Sequence, residues 1–129
     1  MVNITAIVLT KNEERNLRGC LESIYNHVDQ IIIVDSFSED STVQIAQEYT
    51  DFIFQNKFSN HANQFSYALS MPEISRFYGI IVYMFFNDHN PPHFKVKYSE
   101  FEANILIENG SILNGDFPIS KLKLVSAWA

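Results

Sequence analysis

The sequence has one cysteine in 129 residues, Cys20. No internal disulfide can form, and a cysteine-built zinc site would lack ligands. Long apolar runs are missing too. The longest, residues 78–86, is broken by Gly79 and falls far short of the roughly 20 residues that cross a bilayer. The N-terminus lacks the basic-then-apolar pattern of a secretory signal, so a cytoplasmic location is expected. Positive charge is scarce: nine Lys and Arg face 15 Asp and Glu, for a net charge of -6. A general nucleic-acid binder needs a basic face to displace counterions, so none is expected here. Proline is missing from the first 71 residues; Pro72, Pro91, Pro92 and Pro118 all come later.

What is present suits a folded protein: 47% hydrophobic and 19% charged residues, at a length for one ordinary domain or two very small ones. Residues 1–70 hold nine acids against four Lys and Arg, whereas residues 71–129 hold six against five. With the prolines, this asymmetry divides the chain near Ser70.

The first segment alternates strand and helix. "ITAIVLT" (4–10) and "QIIIVDS" (30–36) read as buried strands, and "DFIFQ" (51–55) as a short third. Residues 11–28 place Leu17, Cys20, Leu21, Ile24 and Val28 at helical spacing, with Thr10 and Glu13 fitting a capping box. "STVQIAQEY" (41–49) predicts a second helix. "NHANQFSYAL" (60–69) predicts a third, with Ala62, Phe65 and Leu69 inward. Strands alternating with helices imply a parallel α/β sheet. The second segment changes rhythm. Residues 77–87, 92–99, 101–109 and 111–115 read as strands, the middle two alternating apolar and polar as an antiparallel pair would. Asn90-Pro91-Pro92, Ser99 with Glu100, Asn109-Gly110 and Asn114-Gly115 supply turns. Residues 118–129 predict a closing helix with Pro118 in its first turn.

Open parallel sheets bind ligands where strand ends run into polar turns. Two such edges occur, Thr10-Lys11-Asn12-Glu13 and Asp35-Ser36-Phe37-Ser38-Glu39-Asp40. Carboxylates there can accept hydrogen bonds from a base or ribose, and helix N-termini can face phosphate. The same residues also fit plain capping by Thr10 and Ser38, with Glu39 and Asp40 complementing a helix dipole.

"ITAIVLTKNEERNLRGCLESI", "IIIVDSFSEDSTVQIAQEY" and "FSNHANQFSYAL" together resemble the N-terminal part of family 2 glycosyltransferases, over residues 4–69. The nearest likeness is to the subgroup that builds lipopolysaccharide and other surface glycans. The resemblance implies a GT-A fold (a Rossmann-like sheet) and a UDP- or GDP-type nucleotide-sugar donor, with Mg²⁺ or Mn²⁺ as cofactor. It implies Leu9, Thr10, Asn12 and Glu13 at the nucleotide, with Asp35 and Ser36 beside base and ribose. Many members have a second acid where Ser36 stands and glycine where Phe37 stands.

One element of the family is missing. Its enzymes continue into a strand ending in Asp-x-Asp, whose oxygens hold the metal on the diphosphate. A later carboxylate serves as base. The likeness ends at Leu69, and no Asp-x-Asp occurs anywhere in these residues. No catalytic residue is therefore assigned, the metal's ligands are absent, and transfer is expected to be weak or absent.

In the second segment, "FNDHNPPHF" gathers Asp88, His89 and His93 as candidate metal ligands or acid–base groups. Two histidines and one acid on a turn more often serve turn chemistry and strand-end hydrogen bonding. Residues 71–129 resemble the small bacterial proteins grouped as domain of unknown function 4160, whose members commonly carry a third histidine where Lys95 stands. That likeness implies no established activity, only loosely a regulatory, toxin–antitoxin-like role with a small protein partner.

The expected fold class is thus α/β: a truncated parallel GT-A sheet with helices (1–70), then a small, mainly antiparallel β module with a C-terminal helix (71–129). Alone, the first segment would leave an apolar sheet edge open, which predicts self-association. Two arrangements follow. Strands of the second segment cover that edge, or each segment folds separately. The self-contained likeness of 71–129 favours the second.

Overall fold

The computed structural model describes residues 4–70, 79–85, 93–98, 101–106 and 112–116. The first segment gives β1 (Ile4–Thr10), α1 (Leu17–Ile24), β2 (Gln30–Asp35), α2 (Thr42–Gln47), β3 (Ile53–Gln55) and α3 (His61–Leu69). The second gives β4 (Ile80–Phe85), β5 (His93–Tyr98), β6 (Phe101–Leu106) and β7 (Ile112–Asp116). The expected closing helix over 118–129 lies outside the described residues.

All seven strands form one sheet, in the order β3-β2-β1-β4-β5-β6-β7. β1 pairs in parallel with β2 on one side and β4 on the other; β5, β6 and β7 follow antiparallel. The structure therefore takes the first of the two arrangements and not the separate packing favoured from sequence. Parallel bonds from Ile4↔Ile80 to Leu9↔Phe85 occupy the β1 edge. That pairing also removes the open apolar edge on which the expected self-association rested.

β1 and β2 are buried on both faces because helices cover both. Side chains alternate by the strand's period of two. Ile7, Leu9, Ile32, Val34, Ile81 and Tyr83 meet Phe65 and Ala68 of α3. Ala6, Val8, Ile31 and Ile33 meet Leu17, Leu21 and Ile24 of α1 and Ala46 of α2. The face change has a topological cause. Connections of one hand lie on one face while the chain steps from β1 to β3, and on the other when it returns past β1 to β4.

Four local expectations are corrected. α1 begins at Leu17, not near residue 11, and Asn16 makes no side-chain cap bond. The capping box does not form, because Thr10 and Glu13 bond instead to residues 25 and 29 positions away. On α3, Ala62 is exposed, while Gln64, Phe65 and Ala68 are buried. Asn114-Gly115 is not a turn but part of β7, opposite Asn104 and Ala103, and Gly115 has φ 91° beside a register irregularity.

Candidate functional site

The order of the sheet reverses at β1, between β2 and β4. In such sheets the crevice lies beyond the carboxyl ends of the strands at the reversal. Thr10 and Asp35 end β1 and β2 there as direct register partners.

Asp35 is completely buried. One of its oxygens accepts hydrogen bonds from the hydroxyls of Thr10 and Ser38, both at 2.6 Å. The other accepts from the Ser38 N–H at 2.8 Å. Three donors thus stabilise a carboxylate that burial alone would penalise. The loops after the two strands are laced together over this anchor. Asn12 takes the left-handed φ of 53°. Its N–H donates to Ser38 Oγ at 2.8 Å, and its Oδ1 accepts from the Glu39 N–H at 2.8 Å. The Glu13 N–H donates to Thr42 Oγ1 at 2.8 Å. Asp40 accepts from the backbone and hydroxyl of Thr42 and from the Glu14 N–H. Desolvation acts to raise the Asp40 carboxyl, but these bonds outweigh it and hold the group below its ordinary value.

A second network lies under Ser36, which is also buried. The Ser36 hydroxyl accepts from Gln64 Nε2 at 3.0 Å and donates to the Asn56 carbonyl at 3.2 Å. Gln64 Nε2 also donates to that carbonyl, and Gln64 Oε1 accepts from Asn56 Nδ2 at 2.7 Å. Gln64 was not singled out from sequence. Its signal was a long polar residue inside an otherwise apolar helical stripe, which predicts a buried hydrogen-bonding role once the helix phase is known.

Of the six expected site residues, Thr10, Asn12, Glu13, Asp35 and Ser36 meet at this edge. Leu9 instead points into the core beneath α3. Asp88 and His89 lie outside the described residues. His93 opens β5, and the antiparallel pairing with β4 brings its backbone to the same edge of the sheet. Among the described residues, no three His, Cys, Asp or Glu side chains gather to hold a metal ion. Asp35 is engaged by Thr10 and Ser38, and Asp40 by Thr42 and Glu14. The described residues therefore do not fit Mg²⁺ or Mn²⁺.

Two open clefts lie elsewhere. One, of about 400 Å³, is lined by Tyr25, Gln30, Tyr49 and Phe52 at the amino edge of the sheet. The other, of about 500 Å³, lies beside α2 and β3. Neither is lined by Asp35 or Thr10. Burial raises the Cys20 thiol to about 11, which leaves it protonated and unreactive near neutrality.

An open α/β sheet whose strand order reverses belongs to a class of folds that bind ligands in the crevice at the reversal point. The comparisons narrow the class. Residues 5–71, just over half of the chain, match the family described as glycosyl transferase family 2, and the chain belongs to that family. Residues 79–129 match a domain of unknown function, DUF4160; residues 72–78 fall in neither match. An uncharacterized glycosyltransferase of Rickettsia felis is 35% identical over 71 residues, covering 55% of this chain and 25% of that protein. Glycosyltransferase SunS of Bacillus phage SPbeta is 35% identical over 66 residues, covering 50% of this chain and 15% of that protein. The chain thus spans a quarter or less of these relatives' length. Glucosyl-3-phosphoglycerate synthase from Mycobacterium tuberculosis, solved with Mg²⁺ and UDP, shares the fold at TM-score 0.52 and 19% identity. The same enzyme solved with Mn²⁺, UDP-glucose and phosphoglyceric acid also gives 0.52. These matches cover 70% of this chain and 35% of that one, so the shared fold runs past residue 71. No helix among the described residues is long and apolar enough to cross a membrane.

Proposed function

We propose that the chain binds a nucleoside diphosphate sugar of the UDP or GDP type at the carboxyl edge of β1 and β2, with transfer activity weak or absent. Thr10, Asn12, Glu13, Asp35 and Ser36 form the nucleotide side of the site, and Leu9 supports it from the core. The observation that carries this reading is the buried Asp35, held by Thr10 and Ser38 at the sheet's reversal point. Plain capping explains Asp40 and Thr42, but it does not explain a fully buried carboxylate that ties two strands to one loop.

Weak transfer follows from charge and composition. The two loops carry Glu13, Glu14, Glu39 and Asp40 against Lys11 and Arg15. This acidic rim opposes a diphosphate, so recognition falls chiefly on base and ribose. These residues contain no Asp-x-Asp to hold the family's divalent metal. The reading keeps the cytoplasmic location expected from sequence and the assignment of nucleotide binding to residues 1–70.

The test is a thermal-melting titration of the full chain with UDP, GDP and their glucose conjugates, with and without Mn²⁺. An occupied site raises the melting temperature, because ligand binds the folded state only. No rise at millimolar ligand would remove the proposal.

A second reading places the function in residues 71–129 as a non-enzymatic interaction module. β7 ends the sheet as described, and an end strand can accept a partner's strand. A pull-down with β7 altered by Asn114→Pro checks it: capture must be lost while melting holds.

A further inference from the structure

Phe37 occupies a backbone position that disfavours it. Its φ of 54° lies in the left-handed region, where a bulky side chain is strained and glycine or asparagine fits better. The surroundings hold it there from both sides. Its N–H donates to Gln55 Oε1 at 2.8 Å, and its carbonyl accepts from Lys11 Nζ at 3.1 Å. Its two chain neighbours are fixed as well, Ser36 by Gln64 and Ser38 by Asp35. The residue is 58% exposed, more than Tyr25, Phe52 or Phe58. A strained, firmly pinned loop thus presents an apolar ring to water directly after β2, at the edge that carries the candidate site. Among the described residues packing does not account for that ring, and strain argues against it.

A planar ligand would account for it. We infer that Phe37 is a base-stacking residue of the candidate site, its ring forming one face for the nucleobase of a nucleoside diphosphate. The inference rests on the nucleotide-binding reading above and adds the residue that recognises the base. Aromatic stacking tolerates any base, because every base has a π-face. It also suits this acidic rim, since a neutral heterocycle meets no charge repulsion there.

The experiment is calorimetric titration of the full chain with UDP and with GDP, comparing wild type with F37A, F37L, F37W and F37G, alongside their melting temperatures. F37A is expected to weaken both nucleotides about tenfold, within the range seen for loss of one stacked base. F37L, apolar but not aromatic, is expected to fall with it, and F37W to keep wild-type affinity. F37G is expected to melt at a higher temperature than wild type, since glycine relieves the left-handed strain, while binding as poorly as F37A. Affinity and stability then move in opposite directions, which a merely structural role would not produce. Undiminished binding by F37A or F37L overturns the inference while leaving nucleotide binding intact. Wild type binding neither nucleotide removes the underlying reading, and this inference with it.

Discussion

The strands on the two sides of the β4–β5 boundary are built by different rules. β1 and β2 are apolar on both faces and lie between helices, as parallel strands must. β5, from the second segment, alternates: Val96 is buried and Lys97 half-buried, as on an antiparallel strand with one solvated face. β4 belongs to the second segment by sequence but follows the rule of the first. Ile80 and Val82 are fully buried, and Ile81 and Tyr83 nearly so. The change of building rule therefore falls between β4 and β5, not at the compositional seam near Ser70. A strand within the DUF4160-matched residues thus completes the parallel sheet begun by the glycosyltransferase-matched residues, being apolar on both faces and of matching length.

The sharpest way to break this comparison is Val82→Asp. The side chain is fully buried on a strand paired with both β1 and β5. An uncompensated charge there should cost on the order of 5 kcal/mol and unfold both segments together. Loss of helix signal along with strand signal, by circular dichroism, checks it; retained α1–α3 helicity would separate the segments again. Next comes Asp35→Ala, which strands the Thr10 and Ser38 donors. It should lower stability by about 3 kcal/mol in chemical denaturation and abolish the nucleotide-induced rise in melting temperature. Gln64→Leu preserves much of the volume but deletes the bonds to Ser36 and Asn56, and should cost about 2 kcal/mol. A smaller effect concerns pH. The folded Asp40 carboxyl lies below its ordinary value of 3.8. Its contribution to stability is therefore present above that value and is lost as pH falls through the lower, folded one. Asp40→Asn should flatten the fall in melting temperature below pH 3.8. The smallest effect belongs to Arg18→Ala. The Arg18–Glu48 pair is bidentate at 2.8 and 2.9 Å but exposed, so the change in melting temperature should be slight and vanish at high salt.

Much of the first segment was legible from pattern alone. β-branched apolar runs marked β1 and β2 to within a residue, and the polar turns after them marked the edge where Thr10 and Asp35 meet. The misreadings share one cause, partners distant in sequence. Thr10 and Glu13 match a capping box locally, yet their bonds go to Asp35 and Thr42. On α3, Phe65 and Leu69 pack inward as expected, but Ala62 is exposed and Gln64 is buried, because Ser36 and Asn56 lie against Gln64. Asn114-Gly115 has the composition of a turn, but pairing with β6 keeps it in a strand. The β1–β4 pairing joins residues more than 70 positions apart, and no periodicity reports such a pairing. Composition pointed the other way, since prolines and charge both change near Ser70.

The central claim is that β4 belongs to the same cooperative unit as β1. Native-state hydrogen exchange on the intact chain tests it most directly, amide by amide. The account predicts that the amides of Ile81–Met84 exchange as slowly as those of Ala6–Leu9 and lose protection at the same denaturant concentration. Rapid exchange along β4 while β1 stays protected would contradict it.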